Sequence, residues 1–162
     1  MLALVMATTI LLQGCGIYSF TGASYGTAKT VSIDYFQNRS TYVNATLSNT
    51  LTEALKDRFM SQTPLTLTKS GGDLHFEGTI TGYTITAVGI KSGETASYNR
   101  LTISMKVTFS NSTAPENDFD KSYSRYADYD VASSFASVES GLVEEISEQL
   151  IDDIFNDSVV NW

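Results

Sequence analysis

Leu101-Thr102-Ile103-Ser104-Met105-Lys106-Val107-Thr108-Phe109 sets an apolar side chain at every odd position and a hydroxyl or a lysine at every even one. Side chains along a strand alternate between its two faces, so this stretch predicts a β-strand with one face buried and the other wet. The same period extends to both sides of it. Upstream, Leu74, Phe76, Gly78 and Ile80 alternate with polar residues. Tyr83, Ile85 and Ala87 then continue in the opposite phase, which predicts a bulge or kink near Gly82. Between these strands, residues 89–99 read as a polar connection. Downstream, Asn111 to Asp118, with Pro115 inside it, reads as a hairpin loop, and Phe119 to about Tyr129 as a further, tyrosine-rich strand.

Moving outward, the period changes from two to the helical one. Leu47, Leu51, Ala54, Leu55 and Phe59 form one apolar stripe, with Glu53, Lys56 and Asp57 off it. Asn44 is the expected N-cap of this helix, which runs to about Ser61 and stops before Pro64. Val31, Ile33 and Tyr35 predict a strand before it. Leu65 and Leu67 predict a short one after it, closed by a turn at Gly71-Gly72. A second helix is expected from about Ser134 to Asn156, on the stripe Val138, Leu142, Val143, Ile146, Leu150 and Ile154, with Val159–Trp162 as a separate docking segment. All these apolar surfaces are satisfied together if both helices cover one side of the sheet. The expected fold is therefore α+β: a two-layer sandwich of two helices packed on one face of a mainly antiparallel sheet.

The chain has 162 residues, enough for one domain with a real core, and 42% of them are hydrophobic. Its net charge of −8 disfavours nucleic acid. Seven acids and no Lys or Arg fall in residues 132–162, so nearly all the excess charge sits on the last helix. A solvated face is the usual meaning of such a run. The alternative is a surface that meets a basic partner or stays clear of an anionic one. One cysteine and one histidine exclude an intrachain disulfide and a multi-histidine metal centre. His75 reads as a structural or surface histidine, and the sequence offers no catalytic constellation. The expected protein is not an enzyme and carries no cofactor apart from covalent lipid.

That lipid is assigned from the N-terminus. Met1–Leu12 is uncharged, apolar apart from two threonines, and too short for the roughly 20 residues of a membrane span. It suits a signal-peptide core of about 7–15 residues. Leu12-Gln13-Gly14-Cys15 follows as a lipobox-like sequence, with small Gly14 before the thiol that accepts the lipid. Residues 1–14 are thus expected to be a signal peptide, 15–28 a lipidated tether and 29–162 a single domain. Gly16–Phe20 carries no acid of the kind that retains lipoproteins in the inner membrane, so the expected location is the periplasmic side of the outer membrane.

Several stretches together resemble one family. Cys15-Gly16-Ile17-Tyr18-Ser19-Phe20-Thr21-Gly22 looks like the lipidated opening of LptE-type lipopolysaccharide-assembly lipoproteins. Lys29–Phe36, Thr52–Asp57, Gly72–Tyr83 and Ser124–Tyr129 are similar, in the same order, to the version found in Bacteroidetes. No one stretch is a chemical motif; the collinear set carries the likeness. The resemblance implies two helices on a mainly antiparallel sheet and a non-enzymatic role. Such proteins plug and support an LptD-type outer-membrane β-barrel and help deliver lipopolysaccharide to the surface. Lys91, Arg100, Lys106 and Arg125 are candidate lipopolysaccharide contacts, and Tyr126 and Tyr129 candidate barrel contacts. The alternative is a generic periplasmic lipoprotein that binds a small ligand, or serves as scaffold or pilot for another envelope complex.

Overall fold

The computed structural model describes residues 25–42, 44–88 and 98–159. In chain order the elements are β1 (Thr30–Ile33), β2 (Gln37–Asn38), α1 (Leu47–Gln62), β3 (Thr66–Thr68), β4 (Leu74–Val88), β5 (Tyr98–Asn111), β6 (Phe119–Asp130) and α2 (Phe135–Val159). A 3-10 turn, Pro115–Asn117, sits in the loop between β5 and β6. The sheet runs β3-β1-β4-β5-β6, with the short β2 pairing β4 beyond the end of β1.

β4, β5 and β6 are the long antiparallel strands that the alternation predicts. Leu74 lies opposite Asn111 and Val88 opposite Tyr98, with a register shift between Ile80 and Gly82. That irregularity lets Ile80 and Tyr83, three positions apart, both point into the core, where they are almost wholly buried. The N-terminal edge is different. β1 pairs in parallel with both β3 and β4, and β2 pairs in parallel with β4, so the sheet is mixed. The reason is the connection: a helix between β1 and β3 returns the chain to the starting end of the sheet, as a parallel neighbour requires.

One face of the sheet carries the core. Leu101, Ile103, Met105, Val107 and Phe109 of β5 have no exposed surface. α1 lays Leu47, Leu51, Leu55 and Phe59 on this face, and α2 lays Leu142, Val143, Ile146, Leu150, Ile151, Ile154 and Phe155 there. Each such side chain contributes about 2 kcal/mol through removal from water. Phe59 ties the layers together, with ring centroids 5.1 Å from both Phe76 and Phe155; Phe76 continues to Phe109 at 4.8 Å. The helices run parallel. Asn44, just before α1, donates to Glu139 in the first turns of α2, and Arg58 pairs with Asp152 further along both.

The helix ends differ from the sequence reading in two places. α1 begins at Leu47 with Thr46 at the N-cap, and the Thr46 side chain makes no cap bond. Asn44 still caps, from outside: its Oδ1 accepts the N–H groups of Thr46 and Leu47 at 3.0 and 3.1 Å. At the other end, α2 continues to Val159, and Ser158 and Val159 are buried in it. Val159 therefore belongs to the helix, not to a separate segment, because its apolar side chain keeps the inward stripe going. The remainder of that proposed segment, 160–162, lies outside the described residues, as do the expected signal peptide and Cys15.

Candidate functional site

No described element covers the other face of β4, β5 and β6, and this face is the candidate site. Its side chains are the even positions of β5 with their neighbours across the sheet. Thr102 faces Thr84 and Tyr126, Ser104 faces Gly82 and Ser124, and Lys106 faces Thr79 and Ser122. The result is a broad ladder of hydroxyl groups. Ser104 and Ser124 are hydrogen-bonded at 2.9 Å. A water-facing antiparallel strand produces such a face from the same alternation that fills the core.

Charged pairs punctuate the ladder. Arg100 forms a two-pronged pair with Asp128, Nε to Oδ1 at 2.7 Å and Nη2 to Oδ2 at 2.8 Å. The Arg100 guanidinium also lies 3.5 Å over the ring of Tyr126, a cation–π contact. Hydrogen bonding from Arg100 holds the Asp128 carboxyl below the usual carboxylate range. Lys106 pairs with Asp120 at 2.9 Å.

Arg125 belongs elsewhere. It lies on the helix side of β6, where Nε and Nη2 each donate to Asp153 of α2 at 2.6 Å. Lys121 and the Tyr123 hydroxyl both reach Asp157, at 3.1 and 2.9 Å. Burial first, then this carboxylate, pushes the Tyr123 phenol well above its ordinary value. Tyr83, which donates to Glu139 at 2.7 Å, is raised for the same two reasons. The acidic helix is thus two-sided: Glu139, Asp152, Asp153 and Asp157 hold partners within the fold, whereas Glu144, Glu145 and Glu148 face solvent. The charged pairs along β6 also blunt an edge strand that would otherwise invite strand pairing.

The sequence-derived residues therefore scatter. Arg100, Lys106 and Tyr126 share the open face, and Arg125 caps the edge on the opposite side. Tyr126 is 50% exposed, but Tyr129 is 8% exposed and packs against Phe135. Three positions apart on a strand, the two tyrosines point to opposite faces. Lys91 lies outside the described residues. The Arg100–Tyr126–Asp128 cluster was missed by sequence reasoning, although residues 126 and 128 share a face by period alone; the match to Arg100 needs the register.

Among the described residues, no helix is long and apolar enough to cross a membrane. Similar folds occur in a hypothetical protein from Chlamydia trachomatis (TM-score 0.54, 10% identity, 81% of this chain and 98% of that one) and a protein from Xanthomonas campestris (TM-score 0.51, 8% identity, 82% and 84%). A minor lipoprotein from Acinetobacter baumannii matches at a TM-score of 0.49 with 12% identity, over 82% of this chain and 96% of that one. No curated protein matches the sequence. The profile of one family, described as lipopolysaccharide-assembly, matches residues 28–158, which takes in every described strand and almost all of the two described helices. The chain belongs to the LptE lipopolysaccharide-assembly family, and its role lies in that process.

Proposed function

We propose that this protein is a lipid-anchored plug for an LptD-type outer-membrane barrel, without enzymatic activity, held at the periplasmic side through acylated Cys15. The observation that carries this reading is the uncovered sheet face, which is built mainly of hydroxyls and paired charges, with Tyr98 and Tyr126 as its large exposed rings. Barrel lumens are polar, so a plug gains nothing by presenting an apolar face to one. A rigid sheet backed by two helices keeps that face in shape when it is enclosed. An anchor of several acyl chains far exceeds the marginal binding of one chain and keeps the plug at the membrane.

Lipopolysaccharide phosphates, where they meet this protein, are met by Arg100 and Lys106, because these cations share the open face. Each would exchange an aspartate partner for a phosphate. Arg125, held by Asp153 at the edge, is a weaker candidate on this geometry. Tyr126 is the preferred barrel contact, since exposed Tyr and Arg dominate interface energetics.

Co-purification from detergent extracts tests the proposal. The parent protein should bring down a β-barrel larger than itself, and Cys15→Ser should lose acylation by mass spectrometry of the mature N-terminus. Tyr126→Ala should weaken capture of the barrel with an unchanged melting temperature, whereas Tyr129→Ala should lower the melting temperature. A protein that comes out alone, in cells whose surface lipopolysaccharide survives its depletion, would overturn the barrel reading. A small-ligand or scaffold lipoprotein would then be favoured.

A further inference from the structure

Three side chains that the proposed function does not use converge where β1 leaves the sheet. His75 and Glu77 are two apart on β4 and share its uncovered face. β1 pairs in parallel with Ser32 opposite His75 and Ile33 opposite Phe76. The Asp34 N–H donates to the Phe76 carbonyl at 2.9 Å, which carries Asp34 alongside Glu77. His75 Nε2 then lies 3.4 Å from Glu77 Oε1 and 4.0 Å from Asp34 Oδ2, and the three donor atoms all fall within 4.8 Å of one another.

These separations are informative. Glu77 Oε1 makes a long hydrogen-bond contact with the ring, and Asp34 Oδ2 stands beyond hydrogen-bond reach, so neither carboxylate is held at the 2.7–3.2 Å or so of a good N–H···O bond. The 3.4 Å separation is close to the roughly 3.3 Å between neighbouring ligands of a tetrahedral ion bound at about 2.0–2.1 Å, and the 4.0 Å one is somewhat wider. A small rotation of two half-exposed carboxylates closes the remaining gap.

The imidazole is also held from behind. Its Nδ1 is 2.8 Å from the hydroxyl of Ser32, a residue with no exposed surface, and that oxygen accepts the Gly72 N–H at 3.1 Å. In the tautomer whose Nδ1–H donates to Ser32 Oγ, the Nε2 lone pair points at the carboxylates. Liganding histidines are oriented in this way, by a fixed partner on the second ring nitrogen. Ser32 lies outside the three-residue cluster, so it supports the assignment independently of the acids.

We propose that Asp34, His75 and Glu77 bind one divalent ion of the zinc type on the open face, at the seam between β1 and β4. One imidazole and two carboxylates suit a borderline transition metal; Mg²⁺ and Ca²⁺ prefer all-oxygen sites. The exposure of both acids leaves room for water to complete the coordination. The bound ion would clamp β1 to β4, where the direct parallel pairing covers three positions only. This inference does not depend on the barrel reading.

Calorimetric titration of the intact, chelator-treated protein with ZnCl₂, then with MgCl₂, tests it. One Zn²⁺ should bind per chain, with at least tenfold weaker affinity for Mg²⁺. His75→Gln and the double variant Asp34→Asn/Glu77→Gln should each lose at least tenfold in Zn²⁺ affinity, and Glu148→Gln, on the exposed side of α2, none. The double variant alters only exposed acids, so its metal-free melting temperature should equal the parent's. Zn²⁺ should raise the melting temperature of the parent and not of that variant. No one-to-one Zn²⁺ binding, Mg²⁺ binding as tight as Zn²⁺, or variants that bind like the parent would each overturn the proposal.

Discussion

Phe36 fills the space that any side chain at position 78 would need. A β-carbon on Gly78 would stand 2.5 and 2.7 Å from two carbons of the Phe36 ring. That ring is fully buried, and the Phe36 backbone N–H donates to the Thr52 hydroxyl of α1 at 3.0 Å, so the ring has little room to swing aside. Gly78→Ala should therefore cost about 1–3 kcal/mol, the usual range for overpacking, read from denaturant melts. An unchanged midpoint would mean that Phe36 repacks freely. Ser147 is the opposite case. Its hydroxyl is buried in α2 without a protein partner, so Ser147→Ala should stabilise the domain by about 1 kcal/mol. Both positions were silent in the sequence. An alternating strand accepts a glycine without comment, and a serine among apolar residues looks like tolerated noise. The parity of Tyr126 and Tyr129, by contrast, was available from period two and decides which of them a partner can touch.

Asp73 governs how the sheet's parallel edge meets its antiparallel part. Its Oδ2 accepts the Lys29 and Thr30 N–H groups at 2.8 and 3.0 Å and the Thr30 hydroxyl at 2.9 Å. These bonds, the Lys29 N–H foremost, hold its carboxyl below the ordinary value of 3.8. A depressed folded-state pKa gives stability that is complete above the ordinary value and lost as pH falls through the folded one. The contribution of Asp73 to stability should therefore fade as pH drops below the ordinary value of 3.8, and Asp73→Asn should flatten that limb of the pH–stability curve; an unchanged limb would remove Asp73 from the account. The strands of the meander were legible because each has one wet and one dry face, which writes the period into the residues. β1 and β3 gave their existence but not their direction. Pairing sense depends on where the intervening helix delivers the chain, and no residue pattern within a short buried strand records it. For the same reason His75, Glu77 and Asp34 could not be brought together by reading, since their contact exists only in one register.

At the scale of the whole molecule, the two helices make one face of the sheet obligatory and leave the other free. Substitutions beneath the helices should be read in stability, and those on the hydroxyl ladder in partner binding. Ile146→Asp, at the centre of α2 and fully buried, should unfold the domain, whereas exposed Glu144→Lys should change stability by no more than about 0.5 kcal/mol. Equal, mild effects would contradict the packing of α2. The parallel seam has a temporal consequence as well. β4, β5 and β6 are consecutive in the chain and pair as antiparallel neighbours, while β1 must wait for β4, some forty residues later, before it has a partner on that side. Local pairings close sooner than distant ones. Pulse-labelled hydrogen exchange during refolding should protect the amides of β4 and β5 before those of β1. If Cys15 carries the lipid proposed above, the end of the chain nearest that anchor would be the last to lock into place, and the anchor would hold the newborn protein at the membrane through an interval when its edge is still open.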